Sequence, residues 1–452
     1  MEQWFSCQIA YLWPRMDQLL VWVPRITNRL QYVFRLVLGE QLGLDVAFTK
    51  KKERYLNYEG PKFVYGHKCE LEGELFFKAD ELLFEREISS RELKPFDLDG
   101  HKAFFPVFHK ESALPFDLFA AVFYLVSRYE EYLPYVRDKH GRFEAGSSIL
   151  SEIGMLQTPL VNIWCRKFGV LLQQRFPGLT TKKIHYAFVP TYDIDAAWAY
   201  RQKGIFRTSG AYLRDLFKSD FDEIKRRTAV LRRKQDDPFD TFDLQLQLQR
   251  QYNLRPVYFI LFADYGHNDK NIAVRNRHFR NLIKHLGDFA EIGIHPSYAS
   301  SYDKLKLKNE IERLSMVVNR KIEKSRQHFL RLSLPVTYRN LIDLDITDDY
   351  TMGYARQPGF RAGIANAFYF YDLDHDMPTS LRVHPFAVMD GTLRDYMQLQ
   401  PAEAIEHIKT LIKTVKAVDG TFISLWHNES LSDSKRWAGW LEVYKKLIKE
   451  AV

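Results

Sequence analysis

Residues 187–195 read A-F-V-P-T-Y-D-I-D, an apolar run that ends in two carboxylates one residue apart. The β-branched and aromatic residues before them predict a strand. Ionised carboxylates are costly to bury unless they are paired or hold a metal. On a strand, residues i and i+2 share a face, so Asp193 and Asp195 can point into one cavity. One can hold a divalent cation while the other serves as a base.

Six more β-rich runs follow, separated by helical stretches. They are P-V-Y-F-I-L-F-A-D (256–264), A-E-I-G-I-H-P-S (290–297), R-Q-H-F-L-R-L (326–332), D-Y-T-M-G-Y-A (349–355), L-R-V-H-P-F-A-V-M-D (381–390) and T-F-I-S-L-W-H-N (421–428). Most of the runs finish on, or just before, a residue that can do chemistry: Asp195, Asp264, His295, Asp390 and His427. In parallel α/β barrels the carboxyl ends of the strands converge on the face that carries the site. Seven such units predict an α/β fold with an incomplete barrel. His295 sits at a strand mouth because Pro296 stops the strand behind it. His427 ends the last run. A histidine at a strand end near two carboxylates can be a ligand or a general acid.

Composition sets the frame. A chain of 452 residues exceeds one ordinary core, so two domains are expected. The hydrophobic share of 46% and charged share of 27% are those of a soluble globular protein. The formal charge of +8 is spread over short clusters such as 50–54 and 231–234, which read as solvated helix faces and not as a nucleic-acid footprint. The plentiful Tyr, Phe and Trp suit core packing first and sugar stacking second. Cys7, Cys69 and Cys165 match neither a disulfide framework nor a zinc spacing, which fits a reducing, cytoplasmic setting. No run of 18 apolar residues occurs, so no membrane span is expected. The first fifteen residues lack the marks of a signal peptide, and Met16 is expected to be the native start.

Residues 1–180 read as a smaller α+β domain: a strand at L-L-V-W-V, a helix through T-N-R-L-Q-Y-V-F-R-L-V-L-G, short strands at K-F-V-Y-G and E-L-F-F-K-A, and two apolar helices. His67, His101 and His109 stand singly there and form no catalytic group. The polar stretch 178–183 is a linker, and the barrel is expected over 185–452.

T-Y-D-I-D, E-I-G-I-H-P-S-Y and L-W-H resemble motifs of the polysaccharide deacetylase (NodB-homology, carbohydrate esterase four) superfamily. The resemblance covers about 185–452. It implies a distorted (β/α)7 barrel, a bacterial protein, and a hydrolase that removes N- or O-acetyl groups from carbohydrate with a divalent metal, zinc being the expected ion. The region before it looks like an uncharacterised domain found in a subset of bacterial members, a likeness carried by T-N-R-L-Q-Y-V, S-R-Y-E-E-Y and D-K-H-G-R-F.

The resemblance places the base at Asp193 and a metal ligand at Asp195. It places a second ligand at His295 and the acid that protonates the leaving group at His427. The family's second motif histidine is replaced by Ala299, and His328 is the candidate to fill that seat. An arginine that steadies the base falls on Arg326 or Arg361, with Arg361 favoured because glycines flank it. Tyr192, Ser297, Tyr298 and Trp426 are expected to line the substrate pocket.

Three rival readings stay open on sequence: a barrel that binds glycan without turnover, a glycoside hydrolase using the paired carboxylates, and a nucleic-acid protein. The glycan, the choice between amide and ester, and the oligomeric state are left open.

Overall fold

The computed structural model describes residues 18–452. The proposed start at Met16, and Cys7, lie outside the described residues. Two compact units are formed. The first comprises residues up to Leu125 with Val161–Ile184, and the second comprises Val126–Leu160 with His185–Val452.

The first unit is built on a four-stranded sheet of β1 (Gln18–Trp22), β2 (Asp45–Thr49), β3 (Lys62–Gly66) and β4 (Phe76–Lys78), in the order β2-β1-β3-β4. Every pairing in it is parallel. That departs from the expected α+β domain, because a helical turn follows both β1 and β2 and parallel neighbours need such crossovers. An antiparallel pair, β5 (Phe96–Leu98) with β6 (His101–Ala103), stands apart from this sheet. The helix Asn28–Phe34 starts at Thr27, whose hydroxyl accepts from the Leu30 amide. Its Phe34 ring stacks on Phe119 at 3.6 Å between centroids.

The second unit is mixed α/β. Its strands are β7 (Ala187–Ile194), β8 (Val257–Leu261), β9 (Glu291–His295), β10 (Lys324–Ser325), β11 (Asp348–Asp349), β12 (Phe368–Asp372), β13 (Met377–Val383), β14 (Val388–Met389) and β15 (Thr421–His427). They form one sheet in the order β12-β13-β11-β10-β9-β8-β7-β15-β14. All pairings are parallel except β12 with β13. Among the described residues the ladder does not close. The chain itself spans the gap between β13 and β14, with His384 N donating to Asp349 O (2.8 Å) and Ala387 N to Ile423 O (2.9 Å).

Sequence and structure differ in four places here. D-Y-T-M-G-Y-A is strand only at Asp349, and L-R-V-H-P-F-A-V-M-D is split by 384–387 into the end of β13 and β14. R-Q-H-F-L-R-L is not a strand: β10 ends before it, and a 3-10 turn covers His328–Leu330, with φ of +57° at Phe329 and +54° at Leu330. The antiparallel β12 was not expected. The strand E-I-G-I-H depends on its glycine, since a Cβ on Gly293 would lie 2.6 Å from the Phe259 ring and 2.9 Å from Lys324 O. That absence lets β8, β9 and β10 pack closely enough to bring their carboxyl ends together. No helix among the described residues is long and apolar enough to cross a membrane.

Candidate active site

Register assembles the site. On adjacent strands His427 pairs with Asp193, and Leu261 with His295. All lie at the carboxyl ends of the parallel series. Asp195, one residue past β7, sits within 3.4 Å of His295 Nε2, 3.7 Å of His328 Nε2 and 3.9 Å of His427 Nε2. Asp193 reaches the same His295 nitrogen at 3.7 Å. A cavity of about 240 Å³ opens over these groups.

Asp195, His295 and His328 each offer one ligand atom, all within 4.8 Å of one another. Ligands about 2.1 Å from a tetrahedral ion stand about 3.4 Å apart, so these spacings suit a zinc-sized cation. Outer partners aim both rings. The His295 Nδ1–H donates to Arg326 O (2.6 Å), and the His328 Nδ1–H donates to Asp269 Oδ1 (2.9 Å). A carbonyl or carboxylate can only accept, so Nε2 of each ring is left to face Asp195. Asp195 Oδ1 is buried without a hydrogen-bond partner. An orphaned carboxylate oxygen facing His295 Nε2, with its partner oxygen toward His328 Nε2, fits a cation.

Electrostatics agree. Burial pulls the His328 imidazole down, but Asp195 and Asp269 outweigh it and carry it up to about 9. Burial works to raise the Asp195 carboxyl, and the nearby imidazoles, His328 first and then His295 and His427, hold it well below the usual carboxylate range.

Two further pairs flank the triad. Arg326 Nη1 donates to Asp193 Oδ1 at 2.9 Å, and its Nε donates to Tyr350 O at 3.0 Å. Asp390 accepts from His427 Nδ1 and from the His427 backbone amide, both at 2.8 Å. Burial lowers the His427 imidazole, yet Asp390 first, then Asp195 and Asp193, raise it well above its ordinary value.

The other expected residues are placed as follows. Arg361 does not touch Asp193: it forms a buried fork with Glu131, at 2.9 Å through Nε and 2.6 Å through Nη2. Its glycines serve a different approach, since a Cβ on Gly359, at φ +134°, would lie 2.4 Å from Leu156 O. Arg326 takes the steadying position instead. Tyr192 and Trp426 are buried on the opposite face of their strands, packed around Tyr444, and so do not line the cavity. Ser297 is buried, its amide donating to Glu310. Tyr298 lies beside the site, with its amide donating to Asp269 and the Arg331 guanidinium 3.9 Å over its ring.

Asp390 ended a predicted strand but received no role on sequence. Asp269 and Arg142 were not singled out. Asp269 lies in the loop beyond β8, where nothing local marks it. Arg142, from D-K-H-G-R-F, lines the cavity and donates to Phe329 O at 2.8 Å, steadying the turn that carries His328.

Taken together, a two-histidine, one-aspartate cluster that could hold a metal ion stands beside an arginine-held carboxylate and a histidine–aspartate pair. A family model described as a family of unknown function (DUF7033) matches residues 19–177. A comparison with curated proteins finds no match. Among solved structures, this chain is similar to the polysaccharide deacetylase Bc1974 from Bacillus cereus (10% identity, TM-score 0.30, covering 59% of this chain and 86% of that one). It is also similar to PuuE allantoinase (12%, TM-score 0.35, 58% and 83%) and to a probable polysaccharide deacetylase from Pseudomonas aeruginosa PAO1 (11%, TM-score 0.36, 59% and 84%).

Proposed function

We propose that the second unit, a barrel-like α/β fold of the deacetylase type, is a metal-dependent hydrolase that removes acetyl groups from N- or O-acetylated carbohydrate. The observation that carries this is the triad Asp195, His295 and His328, with each ring's Nδ1 tied off and each Nε2 turned to one carboxylate. These three residues would hold a divalent ion, zinc being the best fit to an N₂O donor set. Such an ion supplies Lewis-acid polarisation of an acyl carbonyl.

The rest is the work of this chain's own side chains. Asp193, aimed by Arg326, accepts a proton from the attacking water. His427, held by Asp390 with Nε2 toward the cavity, donates a proton to the departing nitrogen or oxygen. Phe329, Tyr396 and Trp437, which line the cavity, offer rings for a sugar to stack on. His328 takes the seat that Ala299 leaves empty, which favours a working centre over a barrel that only binds glycan.

The test is metal analysis of the purified full chain combined with acetate release from a panel of N- and O-acetylated glycans. One bound divalent ion per chain and release from at least one glycan are expected. Full metal occupancy with no release from any acetylated sugar would refute the reaction. Absence of bound zinc after zinc loading would refute the centre.

A further inference from the structure

Between β7 and β8 the chain inserts two helices, Ile205–Phe217 and Phe221–Leu231. The first is packed inside out. Its buried residue is Asp215, which pairs with Arg227 at 2.5 Å, while Tyr212 bonds Thr228 across the hairpin. Turned to solvent are Ile205 (79% exposed), Phe206 (93%), Leu213, Leu216 and Phe217 (86%). At 100° per residue these five fall within an arc of about 120°. Phe221, which opens the second helix, is exposed as well.

The same segment concentrates the protein's charge. Residues 201–234 hold eleven Lys and Arg against four Asp and Glu, a net +7 of the formal +8 of the whole chain. A large exposed apolar stripe is rare on a free surface, and cations crowding such a stripe are the pattern of a helix that lies in a membrane interface. We propose that this hairpin docks the protein on an anionic lipid bilayer, with Phe206, Leu213 and Phe217 entering the headgroup boundary and the surrounding cations facing lipid phosphates.

On the other face of the helix lies a basic cavity of about 720 Å³, lined by Lys203, Arg207, Arg214, Arg226, Lys270 and Lys435, among others. It shares Glu429, Arg436 and Trp437 with the metal cavity. Nucleic acid fits less well, because Ile205, Leu213 and Leu216 have no ring to stack on a base and would stay in water.

The experiment is co-sedimentation of the full chain with phosphatidylglycerol vesicles and with phosphatidylcholine vesicles, at low and high salt. Binding to the anionic vesicles that weakens with salt is expected, with little binding to the neutral ones. The double variant Phe206→Ser/Phe217→Ser should lose about tenfold or more in vesicle affinity, with its thermal melt and metal content unchanged. The idea is overturned if the wild-type chain stays in the supernatant, or if the double variant sediments equally. It is also overturned if the stripe is covered by a second copy, seen as a dimer that the double variant dissolves, or if generic DNA competes the protein off vesicles. Sedimentation needs no turnover, so failure of the proposed reaction and failure of docking are separate results.

Discussion

Replacing His328 by Ala tests the metal centre most directly. The wild-type ring must give up a proton before Nε2 can bind an ion, and Asp195 with Asp269 hold that proton up to about 9. At pH 7 the proton therefore weakens ion binding about a hundredfold, or about 2.7 kcal/mol at 1.36 kcal/mol per unit. Zinc affinity of the wild-type chain should rise about tenfold per pH unit between 6 and 8. His328→Ala removes both the ligand and the competing proton. Its affinity at pH 8 should fall on the order of a hundredfold or more, beyond what loss of an outer partner alone costs. The gap between variant and wild type should narrow by about tenfold for each pH unit of acidification.

Competition titration against a chelating indicator at three pH values measures this. Equal zinc affinity at pH 8, or a gap that does not change with pH, would refute the assignment of His328 as ligand. The apo protein offers a second check. His328 has a folded pKa above its unfolded value, so its contribution is full below about 6.5 and is lost as pH rises through about 9. Apo His328→Ala should therefore be destabilised most at acidic pH, by up to about 3 kcal/mol.

Other substitutions separate the remaining roles. Asp193→Asn keeps an oxygen that accepts from the buried Arg326, so the fold should survive while acetate release falls on the order of a hundredfold or more; undiminished turnover would remove Asp193 as base. Asp390→Asn takes away the carboxylate that raises His427. The limb of kcat that falls with rising pH should then move to lower pH, and the rate should drop by about 10²–10⁴. A pH profile superimposable on wild type would show that Asp390 only supports structure. Glu131→Gln breaks a buried pair with Arg361 and should cost about 3–5 kcal/mol by denaturant titration. At low temperature kcat should hold near the wild-type value, because neither Glu131 nor Arg361 lines the cavity; a large loss of kcat with unchanged stability would return Arg361 to the chemistry.

The legible and illegible parts of the site differ in a physical way. Strand endings were readable because an apolar run, a stop such as Pro296 and a polar residue are local facts. Those endings located Asp193, Asp195, His295 and His427 without any knowledge of pairing. Pleat parity was also available and argues against two of the expected pocket residues. If Asp193 and His427 face the cavity, their neighbours Tyr192 and Trp426 must face away, and both pack around Tyr444.

What no local pattern carries is the identity of partners brought in by loops. On sequence Arg361 was favoured over Arg326 for its flanking glycines, and the structure reverses that order. The choice between them was set by Gly359, whose missing Cβ admits Leu156 O, and by Glu131, which claims Arg361 at 2.6 Å. Both contacts come from Val126–Leu160, a stretch that leaves the first unit and packs with the second. That excursion also delivers Arg142 to the carbonyl of Phe329, next to His328. It further places the His140 ring 3.3 Å from the Tyr298 hydroxyl. D-K-H-G-R-F therefore braces a turn at φ +57° and +54°, while S-R-Y-E-E-Y holds Arg361. A ligand on a turn of that kind needs outside support to hold its ring within the narrow geometry a metal demands. The stretch supplies such a contact through Arg142.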